Sequence, residues 1–207
     1  MKRTIIASLM LLVGILTCTT SICAAEQELP VLCEQSFDEP VVEVELVEAA
    51  AGRVASFDGV DDFVSLGDFG KCGRVEIEFR VKAENIERAD EWQGLVTSEA
   101  RWQAGAIHLS AKASRIELYL HQGGSSRCHL TSGVLENGQW YKVKLKIDLP
   151  CRSAELFIDG ERVDSGKISP IVRAIDLSSM VAGREGLKRH FKGAIDEIVI
   201  RGAKAAP

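Results

Sequence analysis

Apolar and polar residues alternate with period two along most of this chain. Val75, Ile77, Phe79 and Val81 alternate with Glu76, Glu78, Arg80 and Lys82. Ile116, Leu118 and Leu120 alternate with Glu117, Tyr119 and His121, and Tyr141, Val143, Leu145 and Ile147 with Lys142, Lys144, Lys146 and Asp148. Successive side chains of a strand leave on opposite faces, so each run predicts a strand with one face buried and the other in water. Antiparallel sheets with one solvated face carry this pattern. Residues 83–91 tolerate a helix but offer no apolar face, and 169–179 reads as a loop interrupted by Pro170.

Turn chemistry separates the runs. Asp58-Gly59, Gly123-Gly124, Asn137-Gly138 and Asp159-Gly160 stand between or beside them, and such dipeptides supply the positive φ of tight turns. Many short strands punctuated in this way predict an all-β sandwich or barrel.

Five ordered segments carry a family resemblance: ASFDGVDDFVSLGD at 55–68, GRVEIEFRVKA at 73–83, NGQWYKVKLKID at 137–148, AELFIDGERV at 154–163 and FKGAIDEIVIRGA at 191–203. Together the chain resembles the laminin-G-like, concanavalin A-like lectin/glucanase jelly-roll family. The resemblance implies an antiparallel two-sheet sandwich over 33–203, with ASFDGVDDFVSLGD as its opening hairpin; Trp140, at the start of an alternating strand, is expected in the core. The family holds glycan binders, adhesion modules and enzymes, so it implies a fold and leaves activity to the site.

The first 25 residues read as an export signal. Lys2 and Arg3 precede an apolar run over 5–16, and Cys23-Ala24-Ala25 offers small residues for cleavage. The run is too short for a membrane span, and no later one approaches that length. Cys18 as an acylated cysteine is the rival reading, which would make the protein a lipid-anchored envelope protein instead of a secreted or periplasmic one. Residues 26–32 form a polar leader and 204–207 a tail. Removing the signal leaves 23 basic and 30 acidic residues, a net charge of −7, which disfavours nonspecific binding of nucleic acid or anionic membrane. In an oxidising compartment Cys33, Cys72, Cys128 and Cys151 predict two disulfides among three connectivities. Cys128–Cys151 and Cys33–Cys72 are the expected pairs, with buried free thiols as the alternative.

Candidate chemistry is sparse. Glycosidases of this fold resemble one another in an E-x-D-x-x-E strand, and two carboxylates are needed for the reaction. The nearest segment here, 194–199, has Ala194 and Val199 where the glutamates would stand, and Asp196 and Glu197, being adjacent, are expected on opposite faces. The four histidines form no legible triad. A non-catalytic protein is expected. Asp58, Asp61 and Asp62 crowd one turn, and related domains hold calcium at a loop rim, so calcium is the one cofactor considered. A turn made by Asp58 and Gly59, with Asp61 and Asp62 solvated, is the simpler expectation. For carbohydrate, Trp92 and Trp102 flank LVTSE in polar settings and are the candidate platforms. Arg184, Lys188 and Arg189 form a basic loop before the last strand, and a lysine row at 142, 144 and 146 is expected to be opposed by Glu76, Glu78 and Glu155. The expected partner is extracellular carbohydrate. A structural or adhesion module binding another protein or the envelope is the alternative, and a glycoside hydrolase comes third.

Overall fold

The computed structural model describes residues 28–37, 45–49, 52–87, 91–100 and 102–205. The export signal and Cys18 lie outside the described residues. Two antiparallel sheets are stacked on one apolar interior. The nine-stranded sheet runs β12 (Glu161–Lys167), β11 (Ser153–Ile158), β10 (Trp140–Asp148), β5 (Lys71–Ala83), β17 (Lys192–Lys204), β3 (Gly52–Asp58) and β2 (Glu45–Ala49), with β1 (Val31–Gln35) added to β17 and β13 (Ile175–Asp176) to β5. The six-stranded sheet runs β4 (Val64–Gly67), β14 (Met180–Ala182), β6 (Gln93–Ser98), β7 (Ile107–Lys112), β8 (Arg115–His121) and β9 (Arg127–Thr131). A small ribbon, β15 (Arg184–Glu185) with β16 (Arg189–His190), completes the fold. Among the described residues no helix is long and apolar enough to cross a membrane.

The alternating runs become the facing layers. Ile77, Phe79, Val143 and Leu145 from the larger sheet and Leu109, Leu118 and Leu120 from the smaller are all fully buried. Burying each such side chain contributes about 1.5–3 kcal/mol, so the period-two pattern is also the main source of stability. Long-range strand pairing holds the centre: β5 and β17 pair along most of their length, which places the closing segment in the middle of its sheet. The first strand starts at Val31, inside the expected leader, where Pro30 O accepts a bond from Gly202 N at 3.0 Å.

Several expectations are corrected. The segment 55–68 is not a hairpin. β3 pairs with β17 and β4 with β14, so Asp58-Gly59 turns the chain from one sheet into the other. Trp140 is half-buried on the outer face of the larger sheet, with the Arg80 guanidinium 5.0 Å and the Lys82 ammonium 5.5 Å from its ring. Asp196 and Glu197 do not point apart: a bulge with Glu197 at φ 51° turns both towards Arg80 Nη1, at 3.8 and 3.3 Å.

The cysteine pairs are also corrected. Cys33, Cys72 and Cys128 are free thiols. Cys33 stands opposite Ile200 on one side of β17 and Cys72 opposite Lys204 on the other. One whole strand therefore separates them, about 9–10 Å before the offset along β17, beyond the ~7 Å that a disulfide spans. Cys128 turns its Sγ to Gly166 of β12, where a Cβ would come within 2.7 Å, so it is not bridged to Cys151 in the β10–β11 turn. Burial raises the pKa of all three thiols and keeps them protonated.

The lysine row is opposed as expected. Lys142 reaches Glu78 at 2.8 Å and Lys144 reaches Glu76 at 2.8 Å, and Glu155 stands directly opposite Lys146 in the register while also pairing with Arg162. Half of the Lys142 side chain is in water, so its pair is screened. Lys142→Ala is expected to change unfolding free energy by less than about 1 kcal/mol in a denaturant titration; a larger loss would mean that the row braces the sheet.

Candidate functional site

The outer face of the six-stranded sheet differs chemically from that of its partner. Cross-strand register aligns Thr97, His108, Tyr119 and His129 in one row over β6, β7, β8 and β9. His121 pairs with Arg127 in a neighbouring row. Alternation sends these side chains outward because Leu109, Leu118 and Leu120 occupy the interior. Where the other sheet carries Lys–Glu ladders, this face carries imidazoles and rings.

The β15–β16 ribbon lies on this face. Gly94 of β6 makes that possible: a Cβ there would stand 2.1 Å from the carbonyl carbon of Arg184 and 2.3 Å from Glu185 N. Thr97 Oγ1 ties the ribbon down, donating to Arg184 O at 2.8 Å. Glu185 is thereby pressed onto the sheet, 6 % exposed. Ser110 Oγ donates to its Oε2 at 2.8 Å, Arg189 pairs with its Oε1, and His108 Nδ1 approaches that oxygen at 3.1 Å. The last contact is close but poorly directed, and both His108 ring nitrogens are buried without a hydrogen-bond partner. Burial by itself raises the Glu185 carboxyl, but His108, the Ser110 hydroxyl and Arg189 outweigh it and hold it below the usual carboxylate range.

Trp102 covers the histidines. Its ring stacks on His108 at 5.3 Å and meets His121 edge-on at 4.9 Å, and the two imidazoles are 4.9 Å apart. Trp102 is nevertheless 54 % exposed, whereas His108 and His121 are 7 % and 2 % exposed. Its backbone has φ 44°, a conformation that a bulky residue adopts only when its surroundings impose it. Burial, with help from His108 and Arg127, lowers the His121 pKa to about 4, and its Nε2 has no partner. A histidine held neutral in this way costs stability when protonated, so its contribution is full above about pH 6.5 and falls away as the pH drops towards 4.

Two adjoining cavities open here. One of about 330 Å³ is bounded by Trp102, Glu99, Glu185, Lys188 and Arg189. The other, about 120 Å³, lies between Trp92, Trp102, Tyr119, His121 and Arg127. Trp92 meets Tyr119 edge-on at 4.8 Å with Lys112 Nζ over its own ring at 4.4 Å. Arg127 lies 5.1 Å from the Tyr119 ring, and His129 stacks on that ring at 4.4 Å.

Of the expected ligand residues, Trp92, Trp102, Lys188 and Arg189 are thus brought together, although up to 97 positions separate them in the chain. Arg184 is placed elsewhere: its guanidinium lies 3.6 Å from the Phe63 ring and pairs with Glu99 at 2.8 Å, bracing the ribbon from behind. His108, Tyr119, His121, Arg127 and Glu185 were missed from sequence. For Tyr119 and His121 the signal was present, since they form the solvent-facing half of an alternating strand that should be charged and is aromatic.

Asp58, Asp61 and Asp62 form a separate cluster, each offering one oxygen within 4.8 Å of the others. Asp58 Oδ1 accepts from Val60 N at 2.7 Å and Asp61 N at 3.4 Å, and Asp62 Oδ2 accepts from Asp58 N at 2.9 Å. The bond from Val60 is the main reason that the Asp58 carboxyl sits below its ordinary range.

The sequence model of the concanavalin A-like lectin/glucanase superfamily matches residues 77–203, more than half of the chain. This chain belongs to that superfamily. The superfamily member described here also superposes on solved structures. Domain 4 of AbnA, an extracellular arabinanase of Geobacillus stearothermophilus, solved with arabinotriose, superposes with TM-score 0.65 at 16 % identity, covering 87 % of this chain and 96 % of that domain. The CBM40 of the Ruminococcus gnavus IT-sialidase, bound to α2,3-sialyllactose, gives 0.55 at 16 % identity, over 74 % and 91 %. The ligand binding domain of botulinum neurotoxin serotype D, in complex with N-acetylneuraminic acid, gives 0.64 at 14 % identity, over 85 % of this chain and 48 % of the toxin chain. At these identities the likeness is one of fold. No curated protein sequence matches the chain.

Proposed function

We propose that this superfamily member is an exported, non-catalytic module that binds extracellular carbohydrate at the Trp102 face. The observation that carries the reading is an exposed tryptophan ring beside convergent polar groups: the buried Glu185 and His108 and the partly exposed Arg189 stand next to the half-open Trp102. Sugars present an apolar face to a ring and hydroxyls at its edge, and a mostly apolar site with a few fixed polar groups suits that chemistry. The solved structures with arabinotriose, sialyllactose and N-acetylneuraminic acid support the ligand class.

Catalysis is disfavoured by charge. Glycoside hydrolysis needs one carboxyl kept protonated near neutral pH. The two carboxylates beside Trp102 are each paired with an arginine, Glu99 with Arg184 and Glu185 with Arg189, and Glu185 is shifted away from protonation. Calcium at the Asp58 turn would draw on Asp58, Asp61 and Asp62 and on further oxygens, since it takes six to eight.

A glycan array probed with and without calcium tests the reading. Binding to a defined sugar class is expected, with no reducing ends released from polysaccharides. Silence across the array, with capture by an envelope protein, would favour the adhesion alternative. Reducing-end release would overturn the non-catalytic assignment, and binding only with calcium would assign a ligand-linked role to the Asp58 turn.

A further inference from the structure

The same site carries a charge imbalance that points to a narrower ligand class, an inference that rests on the carbohydrate reading. Its one buried carboxylate, Glu185, is already satisfied by Ser110 and Arg189 with His108 alongside. Arg127 and Lys188, which border the cavities, form no ion pair among the described residues. Nε2 of His108 and Nε2 of His121 are buried and unpartnered, and Nδ1 of His108 has only its poorly directed approach to Glu185. Buried polar atoms are normally bonded, so two imidazole nitrogens that a ligand could engage stand together under Trp102. Around His121 the facing groups are His108 from β7, Tyr119 from its own strand, Arg127 from β9, and Glu185 and Arg189 from the ribbon. The cations among them outnumber the single, already paired acid.

We propose that the ligand is an anionic sugar, its charged group seated between Arg127 and the His108–His121 pair, and that binding takes up a proton at His121. A neutral imidazole offers one donor and one acceptor, whereas a protonated one offers two donors, which is what an anion requires. The free site opposes that protonation through burial and the neighbouring positive charge. A bound anion reverses the sign of the local field, so His121 titrates higher in the complex. Affinity then strengthens as the pH falls from 7 towards 5, until the ligand's own acid group protonates.

The test is isothermal titration of the protein with α2,3-sialyllactose and trigalacturonate, each against a neutral counterpart, lactose and methyl-esterified trigalacturonate, with a sulfated disaccharide as a third anion. At least one anionic sugar is expected to bind on the order of tenfold tighter than its neutral counterpart. Its affinity should gain about three- to tenfold between pH 7 and 5, which requires the His121 pKa to rise from about 4 in the free site to roughly 5.4–6 in the complex. The heat should vary with the ionisation enthalpy of the buffer, as proton uptake requires. His121→Asn should flatten the pH dependence, and thermal melting of that variant separates this from misfolding. Independently, NMR of the imidazole Cε1–H signals should show the His121 titration moving up on ligand addition. Equal binding of neutral and anionic sugars overturns the anionic class and leaves the carbohydrate reading standing. Anion-selective binding with no pH dependence and no proton uptake overturns the histidine linkage alone. Absence of binding to these sugars, together with silence across the whole glycan array, overturns both.

Discussion

Trp102→Ala is expected to weaken glycan binding roughly 30- to 100-fold while leaving the fold nearly untouched. An aromatic anchor at the centre of a site is worth about 2 kcal/mol or more, and the fold-change follows from about 1.4 kcal/mol per decade. Stability should change by less than about 1 kcal/mol, because the ring is 54 % exposed and exposed groups contribute little. Alanine inherits the same positive φ, so no strain is relieved. A third readout comes from below the ring. Trp102 is part of what keeps water from His121, so its removal should let the His121 pKa rise from about 4 towards the ordinary imidazole value. Calorimetry, melting and NMR titration check the three. Unchanged affinity would remove the platform role from this residue, and a collapse in melting temperature would recast it as part of the core.

Gly94→Val is expected to abolish binding by a different route. The new Cβ would stand 2.1 Å from the Arg184 carbonyl carbon, and the obstacle is backbone on both sides, so no side-chain rotation relieves it. The ribbon must lift. With it go the bond from Thr97 to Arg184 O and the placement of Glu185 against Ser110. Overpacking costs about 1–3 kcal/mol and each lost buried hydrogen bond about 1 kcal/mol more. A total of about 3–5 kcal/mol corresponds to a fall in melting temperature on the order of 10 °C. Ligand affinity should vanish even where the protein still folds, since the carboxylate and Arg189 leave together. A variant that melts and binds like the parent would show that the ribbon does not rest on β6 in solution.

Both substitutions touch features that differ in how visible they are along the chain. Trp102 could be singled out because it sits among polar neighbours, and Lys188 and Arg189 because basic residues cluster there. Gly94 could not, since its role depends on a segment 90 positions away. His121 lies between these cases: its alternation with Leu120 places it on the outer face, but nothing local shows that Trp102 will roof it. The failures follow the same logic. The hairpin expected at Asp58-Gly59 is a crossover between sheets, because turn chemistry specifies a reversal and not which strand lies beside which. The expected disulfides needed distances between strands, and those depend on register. The bulge at Glu197 undid a simple alternation argument because it inserts a residue the period does not count.

Period-two patterning and Asx-Gly turns were enough to dictate all-β layers and their interior, with the family resemblance narrowing sandwich or barrel to sandwich, because burying one face of each strand is the dominant stabilising term and is written residue by residue. Which outer face became a site was decided only on folding. Strand order placed a ribbon, two imidazoles and a tryptophan from distant parts of the chain in contact, and the burial that lowers the His121 pKa exists only once they meet.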